Sequence, residues 1–96
     1  MTTTEQLIER AKAGLGVSSD YALAKALGVS HTTIAHWRFG RSRPDDLAVI
    51  RIAKLLHRDP GQVIAELHAE RAKCEETRAL WKRIALQLSS PLSVSS

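Results

Sequence analysis

The sequence predicts an all-α fold, with five helices in a compact domain and a helical arm at the C-terminal end. Three observations predict it. Apolar residues recur three and four apart, as at Leu7, Ile8 and Ala11 or at Val49, Ile52, Ala53 and Leu56. Runs of this kind begin at a Ser, Thr or Asp able to cap a helix, and stop at glycine or shortly before proline. No convincing strand pattern of alternating apolar and polar residues is present.

The first helix spans about residues 4–13, opened by Thr3 and Gln6 in a capping-box arrangement and stopped by Gly14 and Gly16. A second follows Ser18 and Ser19, both able to cap, and runs through Leu27 to Gly28. Ser30 caps a third, which ends at Gly40 and has Ile34 and Trp37 as its apolar edge. After the loop Arg41-Ser42-Arg43-Pro44, Asp45 and Asp46 fall in the first turn of a fourth helix, where negative charge suits the dipole. Asp59 and Pro60 open a fifth as N-cap and first helical residue. Residues 62–87 contain no Gly or Pro, so one long helix is possible there. The apolar stripe loses phase at Arg71 and Arg78, however, which favours a break near residues 73–75 and helices of roughly 60–73 and 75–88. The Ser-rich end, residues 89–96, is expected to fray, with a disordered tail at 91–96.

Ninety-six residues suit one domain with an appended arm. The single cysteine, Cys74, excludes an internal disulfide framework and suits a reducing, cytoplasmic setting. No secretory signal or membrane-spanning run is legible, so no membrane partner is expected. Charge is informative by position. Residues 1–58 carry nine Lys/Arg against five Asp/Glu, whereas residues 59–96 carry five of each. Basic excess on one half of a chain is the footprint of a polyanionic partner.

Residues 20–40 concentrate the functional signal. They describe two short helices joined by a tight turn, with Gly28 free to adopt a left-handed backbone and Ala24 small enough for close helix approach. Leu23, Leu27, Val29, Ile34 and Trp37 point inward, leaving His31, Thr32, Ala35 and His36 on the solvent face of the second helix. Such a pair can lay its second helix in a major groove while the first crosses the backbone.

The pattern Leu23-Ala24-x-x-Leu27-Gly28-Val29-Ser30-x-x-Thr33-Ile34-x-x-Trp37-x-x-Gly40 resembles the Cro/repressor (XRE) type of helix-turn-helix, the lambda-repressor-like DNA-binding family. Pro44, Val49, Ile52, Ala53 and Leu56 resemble its fourth helix, and Asp59, Pro60 and Val63 its fifth, so the likeness covers about residues 5–67. The resemblance implies double-stranded DNA as partner, with His31, Thr32 and His36 reading base edges. It also implies backbone contacts from Ser30, Thr33, Arg38, Arg41 and Arg43. Two departures stand out. Asp20 occupies the place of a phosphate-donating residue, which shifts the expected backbone contact to Ser19, Tyr21 or the helix amides. His57-Arg58 replaces the usual Gly-Val turn after the fourth helix.

Blander roles fit several residues. Trp37 is core rather than a stacking platform, given its spacing from Ile34. His31 and His36 lie five apart and do not share a helix face well, so no metal site or cofactor is expected. Protonated histidine gains a donor and a charge, so modest pH sensitivity of DNA binding is expected. Cys74 is a solvent-facing or junction thiol. No paired-carboxylate cleft, nucleophile elbow or phosphate loop is present, and an enzyme is not expected.

The expected organisation is a helix-turn-helix domain at residues 1–67 and a dimerising extension at 68–90. Leu80, Trp81, Ile84 and Leu88 either fold back on the domain or form a homodimer seam. The seam is expected, since residues 5–67 already have a core of their own. The resulting expectation is a phage-type repressor bound as a dimer to a palindromic operator, controlled by its own concentration or by a protein antagonist. The alternatives are an antitoxin-type autorepressor whose arm binds a toxin, and a protein–protein adaptor that does not read DNA.

Overall fold

A computed structural model describes residues 2–89; the tail expected to be disordered, residues 91–96, lies outside the described residues. The described chain forms six helices: α1 (Thr4–Leu15), α2 (Asp20–Leu27), α3 (His31–Arg38), α4 (Asp46–Leu55), α5 (Pro60–Arg71) and α6 (Glu75–Ser89). Four of them begin at the caps legible in the sequence, Thr3, Ser19, Ser30 and Asp59, while Asp45, expected inside the first turn of α4, stands before it as its cap; each of the five accepts a backbone N–H from the third helical residue. At α1 the box is complete, because Gln6 Oε1 accepts in return from the Thr3 amide.

The core is a single cluster drawn from five helices. Leu7, Ile8 and Ala11 of α1 meet Leu23 and Ala24 of α2, Ile34 and Trp37 of α3, Val49, Ile52 and Ala53 of α4, and Val63 and Leu67 of α5. Gly14 lies inside α1 instead of ending it, and Gly16 makes the left-handed cap. A Cβ at Gly14 would stand 3.0 Å from Leu56 Cδ2, so the helix continues through a glycine because α4 packs against it there.

The phase loss in the fifth segment has a structural cause. α5 buries Val63, Ala65, Glu66, Leu67 and Ala69, so it is covered on more than one side. Val63 and Leu67 enter the core cluster, while α6 doubles back over α5. The turn falls at residues 72–74, as the phase loss predicts. Trp81 stacks on His68 with ring centroids 4.4 Å apart, and a Cβ at Gly61 would stand 3.2 Å from Leu88 Cδ1. These two contacts fix an antiparallel hairpin. Cys74 is exposed at its turn, with Sγ 3.0 Å from Thr77 Oγ1.

The seam expected at Leu80, Trp81, Ile84 and Leu88 is therefore not one outward surface. Trp81 lies against α5 of the same chain, Leu88 reaches α5 beside Gly61 yet stays 36% exposed, Ile84 is half-buried, and Leu80 is turned outward at 43% exposure. The physical reason is the second apolar side of α5, which needs a cover and receives one from the arm.

The junction after α4 also resolves. His57 adopts φ 56°, the left-handed region, while its amide donates to Lys54 O (3.1 Å) and that of Arg58 to Ala53 O (2.9 Å). Histidine here takes the conformation that glycine adopts at no steric cost. A His57→Gly variant is expected to gain about 1 kcal/mol of stability. Thermal unfolding should then show a Tm rise of about 4–8 °C for a domain of this size.

Candidate nucleic-acid interface

The helix-turn-helix is set by local capping before any long-range contact. At its turn Gly28 takes φ 74°, and the Val29 amide donates to Ala24 O at 3.0 Å, closing the end of α2. One residue later Ser30 starts α3: its Oγ accepts from the Thr33 amide at 3.1 Å and lies 2.8 Å from Thr33 Oγ1. Complete burial of Ile34 and near-complete burial of Trp37 then fix the rotation of α3. That rotation leaves His31 and Thr32 exposed and Ala35 and His36 half-buried. Tyr21 of α2 is 66% exposed and meets the His31 ring edge-on at 6.2 Å, so the two helices present a joined polar and aromatic rim.

Ser19 and Ser30, expected at the DNA backbone, both accept hydrogen bonds within caps, Ser19 from the Ala22 amide at 3.1 Å. Thr33 is half-buried beside Ser30. Arg41 and Arg43 are exposed in the loop after α3. That loop is wrapped onto the helix end: the Arg41 and Ser42 amides both donate to His36 O, at 2.9 and 3.3 Å. Neither arginine makes an ion pair among the described residues.

Arg38 has a different setting from its two neighbours. It leaves the end of α3 and forks onto Asp20 at the start of α2, with Nε donating to Oδ2 at 2.6 Å and Nη2 to Oδ1 at 2.8 Å. It also binds Glu9 of α1 and approaches Glu5 at 3.8 Å. Lys12 completes the group, 3.2 Å from Asp20 and 3.3 Å from Glu9. The Arg38 hydrogen bonds hold the Asp20 carboxyl far below the usual carboxylate range, and they raise Arg38 in turn. Asp20 stands at the position expected of a phosphate donor, and its structural partner is Arg38. The guanidinium expected at DNA phosphate is committed to tying α1, α2 and α3 together.

A second polar cluster anchors the N-terminal residues. The buried Thr2 amide donates to Glu66 Oε1 at 3.0 Å, and Arg58 donates to both Glu66 (3.2 Å) and Thr2 Oγ1 (2.6 Å). Burial would raise the Glu66 carboxyl, but the Thr2 and Arg58 donors outweigh it and hold the group low. Sequence reasoning missed both clusters. Their members are up to 64 positions apart, and only the i, i+3 pair Glu9–Lys12 carries a local signal.

The intramolecular pairing sharpens the electrostatics. Arg38, Lys12 and Arg58 are matched by carboxylates, whereas among the described residues Arg41, Arg43 and Arg71 make no ion pair; Arg71 lines the same cleft as Arg43 at the end of α3. Among the described residues no helix is long and apolar enough to cross a membrane.

Comparison with known proteins places these features in context. A family model described as helix-turn-helix matches residues 8–63. A second, described as phage related protein, matches residues 64–91, which takes in α6 and most of α5. The chain is 30% identical over 87 residues to uncharacterized protein Gp-c of Pseudoalteromonas phage PM2, covering 86% of this chain and 95% of that protein. No solved structure gives a significant match.

Proposed function

The chain belongs to the Cro/repressor (XRE) type helix-turn-helix family of DNA-binding regulators, and on that premise we propose that it binds a pseudo-palindromic duplex site as a homodimer and represses transcription by covering a promoter. The observation that carries this reading is the presentation of α3. Its apolar edge is locked by Ile34 and Trp37, and its other face carries exposed His31 and Thr32 and half-buried His36, beside two exposed arginines, Arg41 and Arg43, that make no ion pair among the described residues.

In this reading His31, Thr32 and His36 contact base edges in the major groove, and Tyr21 supports His31 from α2. Arg41 and Arg43 contact phosphates on either side of the recognition helix end, and the capped N-terminus of α2 approaches the backbone through Ser19 and its amides. Ser30 and Thr33 lie at the edge of that contact. Arg38 acts inside the protein, holding α3 at its angle to α1 and α2. Matches to a phage related protein model and to a phage relative support a phage-type regulator.

Selection of bound duplexes from a random pool at physiological salt tests the proposal. The expected result is an inverted repeat with half-sites about one helical turn apart. With His36→Ala, preference should relax at one position per half-site by about 1–3 kcal/mol. Failure to enrich any motif, with binding that vanishes as salt rises, would overturn sequence-specific recognition.

A further inference from the structure

The outward side of α6 carries a pattern that DNA recognition does not use. Glu76, Ala79, Leu80 and Arg83 lie side by side on one exposed face of the helix. They lie opposite Ala85, which is buried against the domain at 1% exposure. All four are exposed, and Leu86, at 66% exposure, flanks them. Glu76 and Arg83 make no ion pair among the described residues; the ion pair on this helix joins Arg78 to Glu75.

The order of the four residues is acid, small, large, base. It is symmetric about the midpoint between Ala79 and Leu80. Laid antiparallel on a copy of itself, with a two-fold axis at that midpoint, the helix sets Glu76 against the partner's Arg83 and Ala79 against the partner's Leu80. The axis repeats each contact, as an isologous interface requires. A parallel pairing would instead oppose Glu76 to Glu76 and Arg83 to Arg83, so the charges select the antiparallel arrangement.

We propose that this face of α6, from Glu76 to Arg83, is a homodimerisation surface that seats antiparallel on the same face of a second copy. The inference rests on the reading of the chain as a dimeric regulator and specifies the surface that makes it one. It moves the seam from Trp81 and Leu88, which reach α5, and from half-buried Ile84 to residues facing away from α5 on the same helix.

Sedimentation equilibrium of the full chain, without DNA, tests it. The wild type should dimerise. Glu76→Arg and Arg83→Glu should each weaken dimerisation by on the order of tenfold or more, because each places like charges in both symmetry-related pairs. An equimolar mixture of the two variants should recover dimer. In the mixed pair the introduced arginine faces the introduced glutamate, and the other contact is the native one. The double variant, Glu76→Arg with Arg83→Glu, should recover it alone. Helical circular dichroism melts confirm that each variant folds. Single variants that dimerise like the wild type, a mixture that stays monomeric, or a monomeric wild type would each overturn the surface. A monomeric wild type that still selects an inverted repeat would sink this surface and leave DNA recognition standing. A dimer that obeys the charge swap but selects no duplex would do the reverse.

Discussion

Replacing Arg38 by alanine is expected to lower the stability of the domain by about 2 kcal/mol while leaving the salt dependence of DNA binding unchanged. The magnitude follows from the setting. Side-chain exposure is 20% for Arg38 and 21% for Asp20, so the pair is neither a surface contact nor fully desolvated. Exposed pairs contribute about 0–1 kcal/mol, whereas breaking a buried pair costs about 3–5. The fork to Asp20 is bidentate and Glu9 shares the same guanidinium, which places the loss between these limits. Denaturant unfolding gives the stability, and titration of DNA affinity against salt gives the slope. A slope that falls by about 2, one for each protomer of the dimer, with stability intact would return Arg38 to the phosphate backbone.

The same cluster sets an acid limit. Asp20 has a folded-state pKa far below its ordinary 3.8, held there first by Arg38 and, against burial, by Lys12. A depressed carboxylate contributes stability that is fully present above the unfolded value and is lost as pH falls through it toward the folded value. Stability should therefore decline steeply below about pH 4. In Asp20→Asn the decline should be shallower, with the gap to wild type closing as pH drops. Glu9 and Glu66 are also held low, so part of the acid dependence should persist in that variant.

Removing Arg41 and Arg43 together is expected to do the opposite: a large loss of DNA affinity with little change in stability. Both are exposed and make no ion pair among the described residues, so the folded domain loses little when they become alanine. Affinity should fall roughly 100-fold or more at physiological salt, from four charge-assisted phosphate contacts, two in each protomer. The slope of log affinity against log salt should shrink by about 4, one for each contact in the dimer. The selected sequence should stay the same, because phosphate contacts position the protein without reading bases. A double variant with wild-type affinity and slope would remove these two residues from the interface.

These two expectations separate three arginines that lie within six residues and look alike in the sequence. Nothing local distinguishes them: Arg38, Arg41 and Arg43 share a basic, acid-free stretch, and all three resemble phosphate contacts of the family. The difference arises because α1 and α2 bring Glu9 and Asp20 beside the end of α3. Asp20 reads as a departure from the motif for the same reason, since its partner lies 18 positions away. Trp81 is ambiguous in another way. Its helical spacing with Leu80, Ile84 and Leu88 establishes an apolar side but not what covers it, and the cover depends on α5 having a second side to bury.

The sequence by itself determined the helices, their caps, the helix-turn-helix and the rotation of α3, since these follow from side chains within a few residues of one another. Ser30 caps α3 through Thr33, Gly28 makes the turn, and the spacing of Ile34 and Trp37 decides which side faces out. Only the tertiary structure decided which charges remain available and which face of α6 is outward. Ion pairs and helix packing join residues far apart in the chain, and a one-dimensional pattern carries the chemistry of each partner but not the identity of the pair.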